Sequence, residues 1–163
     1  MKVYADSNFL VRLAMRRPDS EEALELVEQH LPESAGLIPV TWLHRVETTN
    51  AFHLYVFQSS RDPAVSRVTP DHASVAVATF EADLASGSLL VSTILPAAEM
   101  ERRFLDLSLR HTARHGFRTY DLLHVASALL LGCDTFWSFD DKACRLAALE
   151  GLKLRPKRRS TDR

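Results

Sequence analysis

Two kinds of apolar spacing alternate along this chain: short runs that suit strands, and longer stretches with a helical period. Residues Lys2 to Ala5 read as a strand that runs straight into Asp6, after which Ser7 or Asn8 caps a helix carrying Phe9, Leu10 and Leu13. An acidic first turn opens a second helix over Ser20 to His30, and Gly36 to Val40 reads as another strand. A long helix is expected from Thr41 to Gln58, with Leu43, Glu47, Asn50 and Leu54 along one face. The polar, proline-bounded segment Ser59 to Pro70 reads as a loop. Beyond it the pattern predicts a helix over Asp71 to Ala85, a turn at Gly87 and a strand over Leu89 to Ser92. Pro96 suits a first helical position, Met100, Phe104 and Leu107 form its i, i+4, i+7 stripe, and Gly116 ends that helix. The segment from Tyr120 or Asp121 to Leu131 is apolar nearly all round and is predicted to be a buried helix. A strand at Thr135 to Ser138, a helix at Asp140 to Glu150 and a short strand at Leu152 to Leu154 complete the series.

Short strands alternating with helices imply an α/β fold, and specifically a three-layer α/β/α arrangement around a short central parallel sheet. In such sheets ligands sit beyond the carboxyl ends of the strands. Asp6 and Asp140 each follow a strand and open a helix, so both belong on that edge. At 163 residues the chain is long enough for one ordinary core, and residues 1–155 are read as a single domain followed by a basic tail at 156–163. Twenty Lys and Arg offset twenty-one Asp and Glu, so net charge does not announce a nucleic-acid partner. Any basic surface must come from local clustering, as in the run from Lys153 to Arg159, read either as a solvated terminus or as a phosphate contact. The longest apolar segment, Leu122 to Cys133, contains His124 and is too short to span a bilayer, and Asp6 and Arg12 interrupt the early apolar stretch. No membrane partner and a cytoplasmic location are therefore expected. Cys133 and Cys144 fit reduced core thiols better than a disulfide framework.

Four acids stand in markedly apolar settings: Asp6 in VYADSNFL, Glu47 in TWLHRVETTNAF, Asp121 in RTYDLLHVASALLLG and Asp140 in TFWSFDDKACRLAALEGL. Burying them as isolated charges would be costly. Convergence on divalent cations, which take hard oxygen ligands, removes that cost and points to a metal-dependent nuclease. Each acid also has a local explanation. Asp6 and Asp140 can cap their helices, and Asp121 suits a helix N-terminus. Glu47, expected mid-helix between Leu43 and Leu54, has the weakest structural excuse.

Taken in order, ADSNFL after the first strand, the pair Glu47 and Asn50, YDLLHVASALLLGC and SFDDKACRLAALEGLKL resemble a PIN domain, the fold shared by the VapC-type toxin ribonucleases. The resemblance spans essentially the whole chain and is most specific from Asp121 to Leu154. It implies that Asp6, Glu47, Asp121 and Asp140 form the acidic quartet holding Mg²⁺ or Mn²⁺, with Asp141 a substitute or supporting partner for the fourth acid. Asn8, Asn50 and Ser138 match polar positions near that site. It further implies hydrolysis of RNA phosphodiesters, a role as the toxin of a type II toxin–antitoxin system, a cognate antitoxin protein and a homodimer.

Other chemistries fit less well. His44, His53, His111, His115 and His124 form no zinc-ligand pattern; His124 reads as a core hydrogen-bonding residue, and His111 and His115 as solvent-facing. Trp42 and Trp137 read as core or interface aromatics. A phosphatase that begins with Asp after a strand would want a second Asp where this chain has Asn8. A non-catalytic PIN-like module that binds RNA or protein is the competing reading of the whole chain. Arg12, Arg16, Arg17, Arg61 and Arg67 are the candidate RNA contacts outside the tail.

Overall fold

The computed structural model describes residues 1–33, 36–62 and 67–156. All of the basic tail after Pro156, residues 157–163, and the middle of the Ser59 to Pro70 segment, residues 63–66, lie outside the described residues. In chain order the elements are β1 (Val3–Ala5), α1 (Ser7–Ala14), α2 (Ser20–Glu33), β2 (Ile38–Val40), α3 (Trp42–Arg61) and α4 (Pro70–Ser86). They continue with β3 (Leu90–Ser92), α5 (Ala97–His115), α6 (Thr119–Leu130), β4 (Thr135–Trp137), α7 (Asp141–Leu149) and β5 (Lys153–Arg155). Helix predominates and every strand pair is parallel, as the alternating pattern implies. The chain divides into two compact units, one of Met1–Asp6 with Ile94–Arg163 and one of Ser7–Thr93.

In the first unit the strand order is β1-β4-β5. Val3, Tyr4 and Ala5 stand opposite Thr135, Phe136 and Trp137, and all six are buried. The Tyr4 and Phe136 rings stack 5.7 Å apart. Around them pack Leu107 of α5, Leu122 and Val125 of α6, and Leu146 of α7, each at most 2% exposed. A helix buried on most sides needs few polar residues, and α6 has them only at its start and at His124 and Ser127. Gly116 closes α5 with φ of +66°, a left-handed conformation that glycine adopts without Cβ strain.

In the second unit β2 pairs with β3, Ile38 opposite Leu90. The interior is made by Phe9 and Leu10 of α1, Leu43 and Phe52 of α3 and Phe80 of α4. Here α3 departs from the expected face. Its buried side chains are Leu43, His44, Thr48, Phe52 and Ser59, whereas Leu54 is 45% exposed and Asn50 is exposed. His44 and Thr48 occupy inward positions that the hydropathy pattern assigns to solvent, because local bonds satisfy them. The Thr41 N–H donates to His44 Nδ1 at 3.0 Å, and Thr48 Oγ1 donates to the His44 carbonyl at 2.6 Å. α3 also continues to Arg61, past the expected start of the loop, with Ser59 Oγ donating to the Val56 carbonyl and accepting from the Val68 N–H. No helix among the described residues is long and apolar enough to cross a membrane.

Candidate active site

The register of β1 on β4 builds the first part of the site. Ala5 stands opposite Trp137, so Asp6 and Ser138 are the next residues beyond the carboxyl ends of two adjacent parallel strands. The Asp6 N–H continues the ladder to the Trp137 carbonyl at 3.0 Å. Ser138 Oγ donates to Asp6 Oδ2 at 2.6 Å, between two side chains that are 1% and 3% exposed. The same hydroxyl accepts from the Asp140 N–H at 2.9 Å. One serine thus ties the first acid to the loop that carries the last.

Asp140 is the N-cap of α7, and its Oδ1 accepts from the Lys142 and Ala143 amides at 2.8 and 3.1 Å. Its Oδ2 accepts from Arg118 Nη2 at 2.8 Å. Burial disfavours the charged form of Asp140, but the Ala143 amide, the Arg118 guanidinium and the Lys142 amide outweigh it and hold the carboxyl below its ordinary range. Asp141, the other half of the Asp-Asp pair, is an exposed residue in the first turn of α7. Asp140 is joined to the network by Ser138 and Arg118.

Asp121 lies in the first turn of α6 with its side chain 5% exposed. Its Oδ2 accepts from the Arg118 N–H at 2.9 Å and from Arg118 Nε at 3.2 Å, and its Oδ1 faces Arg118 Nη2 at 3.1 Å. The guanidinium therefore forks between Asp121 and Asp140, two acids separated by 19 residues in the chain, and both contacts keep it firmly protonated. Nothing in the sequence pattern flags Arg118. Its only signal is a basic residue three positions before an acid at a helix start.

Within the first unit, then, Asp6, Ser138, Asp140, Arg118 and Asp121 form one connected polar chain. Carboxylate oxygens are the donor set a hard divalent cation takes, and the buried Asp121 and half-buried Asp140, already sharing a positive charge, fit that chemistry. Among the described residues no group of three or more His, Cys, Asp or Glu side chains is close enough to hold a metal ion, and the positive charge shared by Asp121 and Asp140 is that of Arg118.

Glu47, Asn8 and Asn50 belong to the second unit. Glu47 is half-buried on α3, and Asn50 is exposed. Asn8, half-buried on α1, accepts from Arg12 Nη1 at 2.7 Å through its side-chain oxygen. The candidate basic residues of this unit are held locally: Arg12 reaches the Pro18 carbonyl, Arg17 lies 3.9 Å above the Tyr55 ring, and Arg61 lies 4.5 Å from the Phe57 ring. Arg16, Arg17, Arg67 and His72 line a cavity of about 360 Å³ with Met15, Val75 and Ala76.

The remaining candidates resolve simply. His124 Nδ1 lies 2.8 Å from the Tyr4 hydroxyl, a core hydrogen bond as expected. His111 is not solvent-facing: Glu150 holds its Nε2 at 2.6 Å, and Phe117 covers its ring. Trp137 is 1% exposed and Trp42 56%, so only the first is a core residue. Both cysteines are buried free thiols, and burial pushes Cys133 up to about 11 and Cys144 up to about 12, which keeps them protonated and inert.

The PIN domain family model matches residues 3–149, nine-tenths of the chain. The chain belongs to the PIN domain family. Members of that family are nucleases. The solved structure of VapC20 from Mycobacterium tuberculosis, a sarcin–ricin loop cleaving toxin, superposes with a TM-score of 0.60 at 15% identity. That match covers 88% of this chain and 94% of VapC20, and at such identity it establishes the fold. No curated protein sequence matches this PIN domain significantly.

Proposed function

We propose that this PIN domain is a Mg²⁺- or Mn²⁺-dependent endoribonuclease and the toxin of a type II toxin–antitoxin pair. The observation that carries the reading is the chain of contacts joining Asp6, Ser138, Asp140, Arg118 and Asp121 beyond the carboxyl ends of β1 and β4. Asp6, Asp121 and Asp140 are the proposed metal ligands, with Ser138 orienting Asp6 through its hydroxyl. The family resemblance also names Glu47 among the acidic ligands, with Asn8 and Asn50 as supporting polar residues. A bound divalent cation supplies Lewis-acid polarisation of the phosphodiester and an acidified water. The chain's own task is to hold charged carboxylates ready: the α7 amides and Arg118 keep Asp140 ionised, and the β1–β4 register keeps Asp6 beside Ser138.

RNA as the substrate is supported by the likeness to VapC20 and by the arginines around the cavity of the second unit, which supply the phosphate-binding charge that net composition lacks. An antitoxin chain, a homodimer, a cytoplasmic location and a division into a nuclease domain at 1–155 with a basic tail at 156–163 complete the proposal. The competing reading, a non-catalytic module for RNA or protein, draws on the Arg118 fork, which gives Asp121 and Asp140 a shared positive partner without any metal.

Cleavage of total RNA followed by sequencing of the new ends tests the proposal. Wild type is expected to cut with Mg²⁺ or Mn²⁺ and to stop when the metal is chelated. Asp6→Asn is expected to fold, by circular dichroism, and to lose cleavage. Full activity in that variant sinks the assignment.

A further inference from the structure

We propose that Arg118 is a built-in counter-ion of the acid site, holding Asp121 and Asp140 together until a divalent cation displaces it. The inference rests on the metal-dependent reading above and concerns how that site is loaded. Both oxygens of Asp121 face the Arg118 guanidinium, at 3.1 and 3.2 Å. Of the Asp140 oxygens, one is committed to the α7 amides and the other to Arg118 at 2.8 Å. A cation that binds either carboxylate through those oxygens meets a fixed positive charge a few ångströms away, so guanidinium and metal compete for the same acids.

Exposure decides which group leaves. The Arg118 side chain is 59% exposed, while those of Asp121 and Asp140 are 5% and 29% exposed. A guanidinium already largely hydrated gives up little by rotating outward. The buried Asp121 carboxylate, left without a positive charge, loses much more. Exchange of one cation for another is therefore the low-cost path, and the acids keep a positive partner throughout it. Had Arg118 served only to pin the start of α6, its contact with Asp121 and the backbone cap would suffice. The reach to Asp140 across 22 residues adds nothing to that task.

Isothermal calorimetry of Mn²⁺ binding to the full chain tests this, using wild type, Arg118→Gln, Arg118→Lys and, as a control, Asp121→Asn. Arg118→Gln removes the competing charge and is expected to tighten Mn²⁺ binding about tenfold. Arg118→Lys keeps a charge but loses the fork, and its affinity is expected between the two. In chelator Arg118→Gln should melt below wild type, and saturating Mn²⁺ should close that gap. Mn²⁺ uptake that Asp121→Asn abolishes but Arg118→Gln leaves equal or weaker overturns the role of Arg118 and spares the metal-dependent reading. Absence of uptake in wild type and Arg118→Gln alike overturns both, and uptake undiminished in Asp121→Asn overturns the role of Arg118 alone. If the glutamine variant does not fold, the lysine variant decides, and an affinity no tighter than wild type overturns the proposal.

Discussion

Two arginines in the first unit each bridge a pair of carboxylates, yet the two arrangements differ in kind. Arg110 on α5 reaches Asp106 one turn earlier at 2.8 Å and Glu150 beyond α7 at 2.6 Å, with His111 adding a second bond to the same Glu150 oxygen. Arg118 reaches Asp121 and Asp140. Around Arg110 the additional group is a histidine, a potential cation, and Asp106 is 47% exposed. Around Arg118 the additional group is a third acid, Asp6, joined through Ser138 at the strand ends. The first network gathers hydrogen-bonding partners around Glu150 and clamps α5 to the end of α7. The second gathers acids at the edge of a parallel sheet, joined through Ser138 and Arg118.

Activity separates the two networks most sharply. Asp121→Asn is expected to lower metal-dependent RNA cleavage about 100-fold or more, the scale on which lost transition-state charge stabilisation falls, while Glu150→Gln leaves it unchanged. Equal losses in a cleavage assay would erase the distinction between clamp and site. Stability should divide them the other way. Glu150 is only 10% exposed, and Glu150→Gln is expected to lower unfolding stability by about 1–2 kcal/mol in a denaturant titration.

A smaller effect comes from acid. The Arg110 guanidinium, and after it His111, hold Glu150 below its ordinary value of 4.5 despite burial, and Arg110 likewise lowers Asp106. A carboxyl depressed in the folded state stabilises it above the unfolded value and loses that contribution as pH falls through the folded one. Thermal melts between pH 7 and pH 3 should therefore fall more steeply below 4.5 for wild type than for Glu150→Gln. Identical slopes would remove Glu150 from the acid response. The smallest effect is expected at Asp141→Asn, exposed in the first turn of α7, which should cleave RNA like wild type. Loss of cleavage there would move the fourth acid from Asp140 to its neighbour.

Much of the fold is legible along the chain because its signals are local. Asp140 followed by an amphipathic run marks the start of α7, Gly116 marks the end of α5, and the nearly all-apolar stretch after Asp121 marks the buried α6. The expected face of α3 failed for an equally local reason that hydropathy does not record. His44 and Thr48 bury their polar atoms in bonds to Thr41 and to the preceding turn, so the buried face passes through them and leaves Leu54 to solvent. His111 departs from the solvent-facing expectation for a different cause. Glu150, its partner, lies 39 residues away, and nothing within one turn of His111 reveals it.

The acids themselves, the strand–helix junctions that carry Asp6 and Asp140 and the helix start that carries Asp121 follow from residue order alone, since capping and hydrophobic period act over a few residues. Which polar side chains meet is set by the parallel pairing of β1 with β4, a ladder between segments 132 residues apart that puts Ser138 against Asp6. The fork of Arg118 between Asp121 and Asp140 has the same origin. Packing of α6 and α7 on a shared core brings those two acids within one guanidinium's span, and no spacing in the sequence encodes that distance.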